Sequence, residues 1–349
     1  MVSIKTILPV LRVDLTQLVQ NYHLLAKFAQ PITLAAVLKG NAYGLGMEQI
    51  IAPLFDSGCR HFFFADWQEV INLPEEIKFG SKLYALAGVE PNEYHDAIQH
   101  NIVPILHRED QIKEWAKFNL PCGIQVGMSL NRLGVDLQLI PSLSQIVQIE
   151  FILNHLSCGY NILHPSNIAE SVEIAELSRQ IQIPATLCSS CAFVLDRDLI
   201  LEKSCMIRAG RCVYGIVPRE FKEYGIFGQL KPIATLTAVL IAIRDVKKSQ
   251  SIGYNEGFIA QKDMRIGILN IGYSSGYCFN HRGEQVYFEG EYYNIISQSM
   301  DFTTIDVGGL NCNIGDRFEL FGENISQDSP EQSRIFLPGK ANIVREYIK

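Results

Sequence analysis

Short apolar runs recur along the first two thirds of the chain, and most are followed by a stretch with helical spacing. The runs fall at 32–38, 61–65, 82–87, 102–106, 123–126, 151–155, 184–188 and 206–209. Amphipathic stretches of helix length lie between them, for example at 47–57, 92–100, 109–118 and 168–181. An apolar run without alternation suits a strand buried on both faces, as in a parallel sheet. Eight such strands separated by helices predict an α/β fold, a closed (β/α)8 TIM-like barrel. A doubly wound open sheet is the alternative, and the strand count favours the barrel.

The pattern changes after Pro232. A long β-branched run covers 233–242, and strand-like segments follow at 265–271, 285–288, 291–296 and 317–321. Gly and polar turns separate them, with no long helical segment, so a β-rich C-terminal domain is expected. The boundary is expected near 229–232. Residues 9–230 would form the barrel, and 231–349 the β-rich domain together with residues 1–8.

Composition narrows the function. The 349 residues are 48% apolar, enough for well-buried cores. Net charge is −7, and no basic run or basic face with interleaved aromatics points to nucleic acid. No apolar stretch approaches the ~20 residues of a membrane span. Lys5, Pro9 and Arg12 interrupt the first fifteen residues, where a secretory signal would need an apolar core. Nine cysteines, an odd number, suit reduced thiols in a cytoplasm. Cys188 and Cys191 form a C-x-x-C pair, but no second pair follows at ligand spacing, so no metal is expected.

Candidate chemistry gathers at the C-terminal strand ends, where barrels build their sites. The first strand ends at Lys39, ahead of a loop with three glycines and Tyr43. The fifth runs into Asn131 and Arg132, the sixth ends at His155, the seventh at Ser189 and Ser190, and the eighth carries Arg208 before Gly210. Each residue alone has a bland reading: a lysine reaching solvent, a core histidine, scaffolding arginines. Together on one rim they make a site. A desolvated lysine is nucleophilic and can form a Schiff base. Ser190, Gly210 and backbone amides suit a phosphate. The pairing fits pyridoxal phosphate, a phosphorylated aldehyde.

At these residues the chain resembles the alanine racemase family. Val37-Leu38-Lys39-Gly40-Asn41-Ala42-Tyr43-Gly44 is similar to that family's pyridoxal-lysine signature. The likeness recurs at Asn131-Arg132-Leu133-Gly134-Val135, His155, Ser189-Ser190, Ile207-Arg208-Ala209-Gly210 and the segment from Val213 to Pro218. In the second domain it covers Gly267 to Tyr277 and Ser299-Met300-Asp301. It spans about residues 8 to 307, in family order.

The resemblance implies pyridoxal 5'-phosphate on Lys39 and racemisation of alanine, with D-alanine destined for peptidoglycan. Lys39 and Tyr273 would be the two acid/base groups of an aldimine-based mechanism, one on each face of the substrate Cα. Tyr273 would come from the partner subunit of a homodimer. A chain Tyr273–His155–Arg208 would reach the pyridine nitrogen. Tyr43, Ser190 and Gly210 would hold the phosphate, with Arg211 beside them. Arg132, Met300 and Asp301 would face the substrate.

There are departures. Gln125 stands where many members have a carbamylated lysine, so Arg132 is expected to be held by the Gln125 amide or by a small anion. Arg211 replaces an apolar residue. Gly40, Leu45, Ser274, Ser275 and Gln298 also depart from the usual residues. The C-terminal phosphate-binding tyrosine is not visible, and Ala341 falls at its place. Alternatives are a racemase for another small amino acid such as serine, a decarboxylase using Cys278 or Cys312, a non-catalytic pyridoxal-phosphate carrier, and a barrel without cofactor.

Overall fold

The computed structural model describes residues 8–158, 164–187, 189–190, 204–217, 221–277, 284–325, 328–329, 332–333 and 343–349. Strand β1 (Val10–Asp14) opens the described chain and leads into the helix Leu15–Ala29. Asp14 ends the strand and caps that helix, its carboxylate accepting from the Gln17 N–H at 2.8 Å.

Eight parallel strands then follow: β2 (Thr33–Val37), β3 (His61–Phe64), β4 (Lys82–Ala85), β5 (Ile102–Leu106), β6 (Cys122–Gln125), β7 (Ile149–Leu153), β8 (Ala185–Thr186) and β9 (Met206–Ala209). Each matches one of the eight expected runs. Their order, β8-β7-β6-β5-β4-β3-β2-β9, nearly closes a barrel. Between β8 and β9 the strand ladder gives way to a mixed seam. The Cys205 N–H donates to Ala185 O at 2.8 Å, Thr186 Oγ1 to Met206 O at 2.9 Å, and Arg208 Nη1 to Thr186 O at 2.8 Å. Two residues of β8 are too few for a full ladder, so side chains finish the closure.

The barrel is filled, not hollow. Alternate strand residues form an interior cluster: Ala35, Val37, Phe63, Tyr84, Ile105, Phe151, Leu153 and Met206. The Phe63 and Tyr84 rings stack at 4.5 Å, and Phe151 meets Tyr84 edge-on at 5.3 Å. Burying each such ring or branched chain contributes roughly 1.5–3 kcal/mol. Gly123 sits where a Cβ would press on Phe151 and Ile105, so its missing side chain makes room for theirs.

The second domain begins with β10 (Ala234–Val246). A hairpin of β11 (Ser251–Ile252) and β12 (Phe258–Ile259) follows, then β13 (Met264–Leu269), β14 (Gln285–Phe288), β15 (Glu291–Gln298), β16 (Thr303–Asp306) and β17 (Arg317–Phe321). A second hairpin pairs β18 (Asp328–Ser329) with β19 (Gln332–Ser333), and β20 (Val344–Ile348) comes last. The thirteen residues of β10 are long enough to serve both ends of a sheet. Leu236 to Val239 pair with β17, and Leu240 to Val246 pair with β13. With β16, β15 and β14 between, six antiparallel strands close on themselves, which removes free edges.

Among the strands not expected from the pattern are β1 and β16. β16 is short and half polar, and β1 is a brief alternation directly before a helix. β1 pairs with β10 and β20, Val10 opposite both Thr237 and Val344. Val10–Asp14, expected as part of the barrel, therefore belongs to the β-rich sheet. Among the described residues no helix is long and apolar enough to cross a membrane. Cys188 and Cys191 lie outside the described residues, as do Cys278 and Ala341.

One buried side chain ties the first helix to the segment that leads into the β-rich domain. Asn21, 1% exposed, donates to Val213 O at 3.1 Å and Lys231 O at 2.8 Å, and accepts from the Lys231 N–H at 3.2 Å. Asn21→Ala would leave these groups without their partner. The expected loss is about 2–4 kcal/mol, seen as a lower urea midpoint.

Candidate active site

Strand alternation decides what enters the barrel mouth. Side chains two residues apart share a face. Val37 is interior, so Lys39 points up from the same row, and His155 follows Leu153 as Arg208 follows Met206. Sequence spacing and barrel closure together bring these three to one opening.

Beyond Lys39 the chain makes a left-handed turn. Gly40, Asn41, Ala42, Tyr43 and Gly44 have φ of 65°, 56°, 52°, 57° and 85°. For a residue with a Cβ this costs roughly 1–2 kcal/mol each. Bonds from outside the turn offset the strain. The Asn41 N–H donates to Glu69 Oε1 at 3.0 Å, and the same carboxylate accepts from the Ala65 N–H at 2.7 Å. Asn41 Oδ1 accepts from the Met47 N–H at 2.8 Å, at the first residue of the helix Met47–Asp56. Tyr347 Oη donates to Leu45 O at 2.8 Å, so β20 braces the turn from the other domain. The turn sets Tyr43 beside Tyr214, with ring centres 5.1 Å apart, and Tyr214 Oη donates to Val37 O at 2.8 Å.

The mouth is strongly cationic. Burial lowers the Lys39 pKa, helped by the charges of Arg132 and then Arg208, while Glu69 raises it in part. Burial is also the main cause that depresses His155 to about 3, again with Arg208, Arg132 and Lys39 beside it. His155 is therefore neutral at ordinary pH. Arg208, 4% exposed, is oriented by Thr186 O and Oγ1 and by Asn154 O. Arg132 is exposed, and Gln125 is buried at 4%. No hydrogen bond joins them among the described residues, so Gln125 does not hold Arg132 as expected.

A cradle lies at the edge of this mouth. Ser190 Oγ accepts from the Gly210 N–H at 2.9 Å and lies 3.5 Å from the Cys212 N–H. A Cβ on Gly210 would run into Tyr43 Oη. Tyr43, Ser190 and Gly210 thus bring two hydroxyls and a backbone amide together, a set of groups that suits a phosphate. Arg211 follows in the same turn, half-buried. The residues present fit a phosphorylated aldehyde: an amine of lowered pKa and, at the rim, a donor-lined cradle.

Tyr273, Met300 and Asp301 form a second group on the β-rich domain. The Tyr273 N–H donates to Ser299 O at 3.2 Å and the Ser274 N–H to Met300 O at 2.9 Å. Ser274 Oγ donates to Met300 O at 2.7 Å and lies 3.2 Å from Asp301 Oδ1. Gly272 permits this, since a Cβ there would strike the Ser299 and Met300 carbonyls. Tyr273 is 46% exposed and Met300 53%. Among the described residues, no hydrogen bond or ring contact joins this group to the barrel mouth of the same chain. Cys312 is buried in its own domain.

Glu69, Thr186 and Tyr214 shape the site and were not singled out from sequence, which marks neither a carboxylate's backbone partners nor a hydroxyl at a seam. Glu69→Ala would free the Asn41 N–H of the strained turn and the Ala65 N–H after β3. The expected loss is about 1–3 kcal/mol, read as a lowered thermal midpoint.

The chain matches the family model for the alanine racemase N-terminal domain over residues 13–218, and the one for the C-terminal domain over 233–335. It is 29% identical to an alanine racemase of Brucella suis (strain ATCC 23445 / NCTC 10510), covering 91% of this chain and 88% of that protein. It is equally 29% identical to one of Rickettsia canadensis (strain McKiel), covering 91% of each. The structure is similar to alanine racemase from Bartonella henselae with covalently bound pyridoxal phosphate. The TM-score is 0.85 at 26% identity, covering 98% of this chain and 99% of the other. With both of its domains matched in order, this chain belongs to the alanine racemase family.

Proposed function

We propose that this protein interconverts L- and D-alanine, using pyridoxal 5'-phosphate and two acid/base groups on opposite faces of the substrate Cα. One observation carries the reading: a lysine of lowered pKa and a neutral histidine share a mouth with two guanidinium groups, beside the hydroxyls of Tyr43 and Ser190 and the Gly210 amide. When bound, the cofactor supplies an electron-withdrawing ring that acidifies the Cα–H. Tyr43, Ser190 and Gly210 would hold its phosphate, with Arg211 adjacent, and Lys39 its aldehyde carbon.

Racemisation needs a proton taken from one face and returned to the other. Lys39 serves one face. Its lowered pKa makes the free amine, the form able to take a proton, more accessible near neutrality. Tyr273 serves the other, supplied by a second copy of the chain, with Met300 and Asp301 lining the pocket beside it. Its exposure on the β-rich domain supports that arrangement: a homodimer with two composite sites. Neutral His155 can accept a hydrogen bond from the Tyr273 phenol. Arg208 keeps its proton, so beside the cofactor's ring it would supply a hydrogen-bond donor and no acidic proton, leaving the ring a weaker electron sink. That favours return of the proton over transamination. Arg132 receives the substrate carboxylate. Reduced buried cysteines suit a cytoplasmic setting.

Tyr273→Phe should keep cofactor binding and lose at least about a hundredfold in turnover. Mixing it with Lys39→Ala protein should restore activity by forming one intact site per mixed dimer. No recovery on mixing would count against shared sites. Deuterium exchange at Cα across L-amino acids separates alanine from serine, and separates both from a carrier, which would exchange none.

The pH profile follows from the two lowered pKa values. Imine formation between Lys39 of the cofactor-free protein and added pyridoxal phosphate should speed up with pH through the Lys39 ionisation, at a pH below the ordinary range of a lysine amine. His155, at about 3, should contribute no limb near 6.5. A pH series from 5 to 10, on about half-unit steps, checks both.

A further inference from the structure

The helix Pro165–Ile181 turns one carboxylate toward the barrel mouth. Glu170, 5% exposed, accepts from Ser129 Oγ, and from Asn154 Nδ2 at 3.2 Å. Ser157 Oγ lies 2.9 Å from Ser129 Oγ.

Ser129 stands three residues before Arg132 in the loop from Val126 to Val135. Backbone bonds hold the base of that loop: the Gly127 N–H donates to Val135 O at 2.9 Å, and the Val135 N–H to Gln125 O at 3.0 Å. Gly134, at φ 133°, lies so close to Val126 and Gly127 that no side chain fits. The tip has no such ladder. Its hydrogen bonds to another element, among the described residues, run through Ser129 to Glu170 and Ser157. Gln125 is neutral and bonds nothing on the tip. On the other side, Asn154 gives its carbonyl to Arg208 and its N–H to Thr186 O at 3.2 Å, and precedes His155.

We propose that Glu170 positions Arg132 to receive the substrate carboxylate, by fixing the loop tip through Ser129 and tying it through Asn154 to the Arg208 wall. Glu170 touches neither substrate nor cofactor; it is a positioning residue, and the proposal rests on the racemase reading. A charged acceptor suits the task, because hydrogen bonds to a carboxylate are shorter and stronger than neutral ones.

The test compares wild-type, Glu170→Ala, Glu170→Gln and Ser129→Ala holoenzymes. Four measurements are made on each: alanine Cα-proton exchange kinetics, cofactor affinity, thermal midpoint, and calorimetric binding of propionate, a carboxylate without the amine. Glu170→Ala should raise the alanine KM and the propionate Kd about tenfold, with kcat and cofactor affinity within about threefold of wild type. Ser129→Ala, on an exposed loop, should move both in the same direction by less, and Glu170→Gln should fall between Ala and wild type. Unchanged KM and propionate affinity in both Ala variants would overturn the proposal. So would a loss of KM, kcat and cofactor affinity together, which marks a merely structural role. A wild-type protein that exchanges no Cα proton overturns the racemase reading instead, and the propionate comparison then still decides on Glu170.

Discussion

Three cationic side chains cannot share a half-dry barrel mouth without something negative nearby. Two unit charges 4 Å apart repel by about 4 kcal/mol near a protein surface, against about 1 in water. Lys39, Arg132 and Arg208 lie close enough that each arginine lowers the Lys39 pKa and all three lower that of His155. The chain resolves this in two ways. Lys39 gives up its proton more readily, and the Glu69 carboxylate under the lysine turn offsets part of the positive charge. What charge remains is positive, which suits a phosphate and a carboxylate.

The same constraint explains where rigidity is placed. Arg208 is locked into the β8–β9 seam and completes the barrel as it faces the site. The turn after Lys39 is left-handed and held from four directions, by Leu38 O, Glu69, Asn41 Oδ1 and Tyr347. A lysine on such a turn cannot drift from its row. Arg132, in contrast, is exposed on a loop tip, and the Gln125 amide beneath leaves it alone. The Tyr273 group is also exposed, yet its own loop is firmly knitted to Met300. It is a finished half-site, presented on the β-rich domain.

Much of the architecture was legible in the pattern of apolar residues. All eight barrel strands matched apolar runs because both faces of a parallel strand are buried, leaving no ambiguity of phase. The β-rich domain was legible from its turns. β1 and β16 were missed for a physical reason: four or five residues carry too little periodicity to stand apart from a helix cap or a polar turn. β8 was seen as a run, yet its two-residue ladder and side-chain seam were not, since nothing local distinguishes a short ladder from a full one.

Sequence alone determined the rows. The order of residues placed Lys39, His155 and Arg208 at strand ends on alternate positions, because a strand's side chains repeat every two residues whatever surrounds them. It also placed Tyr43 in the glycine-rich loop and Tyr273 and Met300 in the second domain. Only the tertiary structure decided which side chains support them. Glu69 bonds residues four and twenty-eight positions away, Glu170 reaches back forty-one to Ser129, and Tyr347 braces a turn 302 residues earlier. Such partners are chosen by closure of the barrel and docking of the β-rich domain, which bring distant segments within hydrogen-bond reach, and local pattern holds no record of that distance.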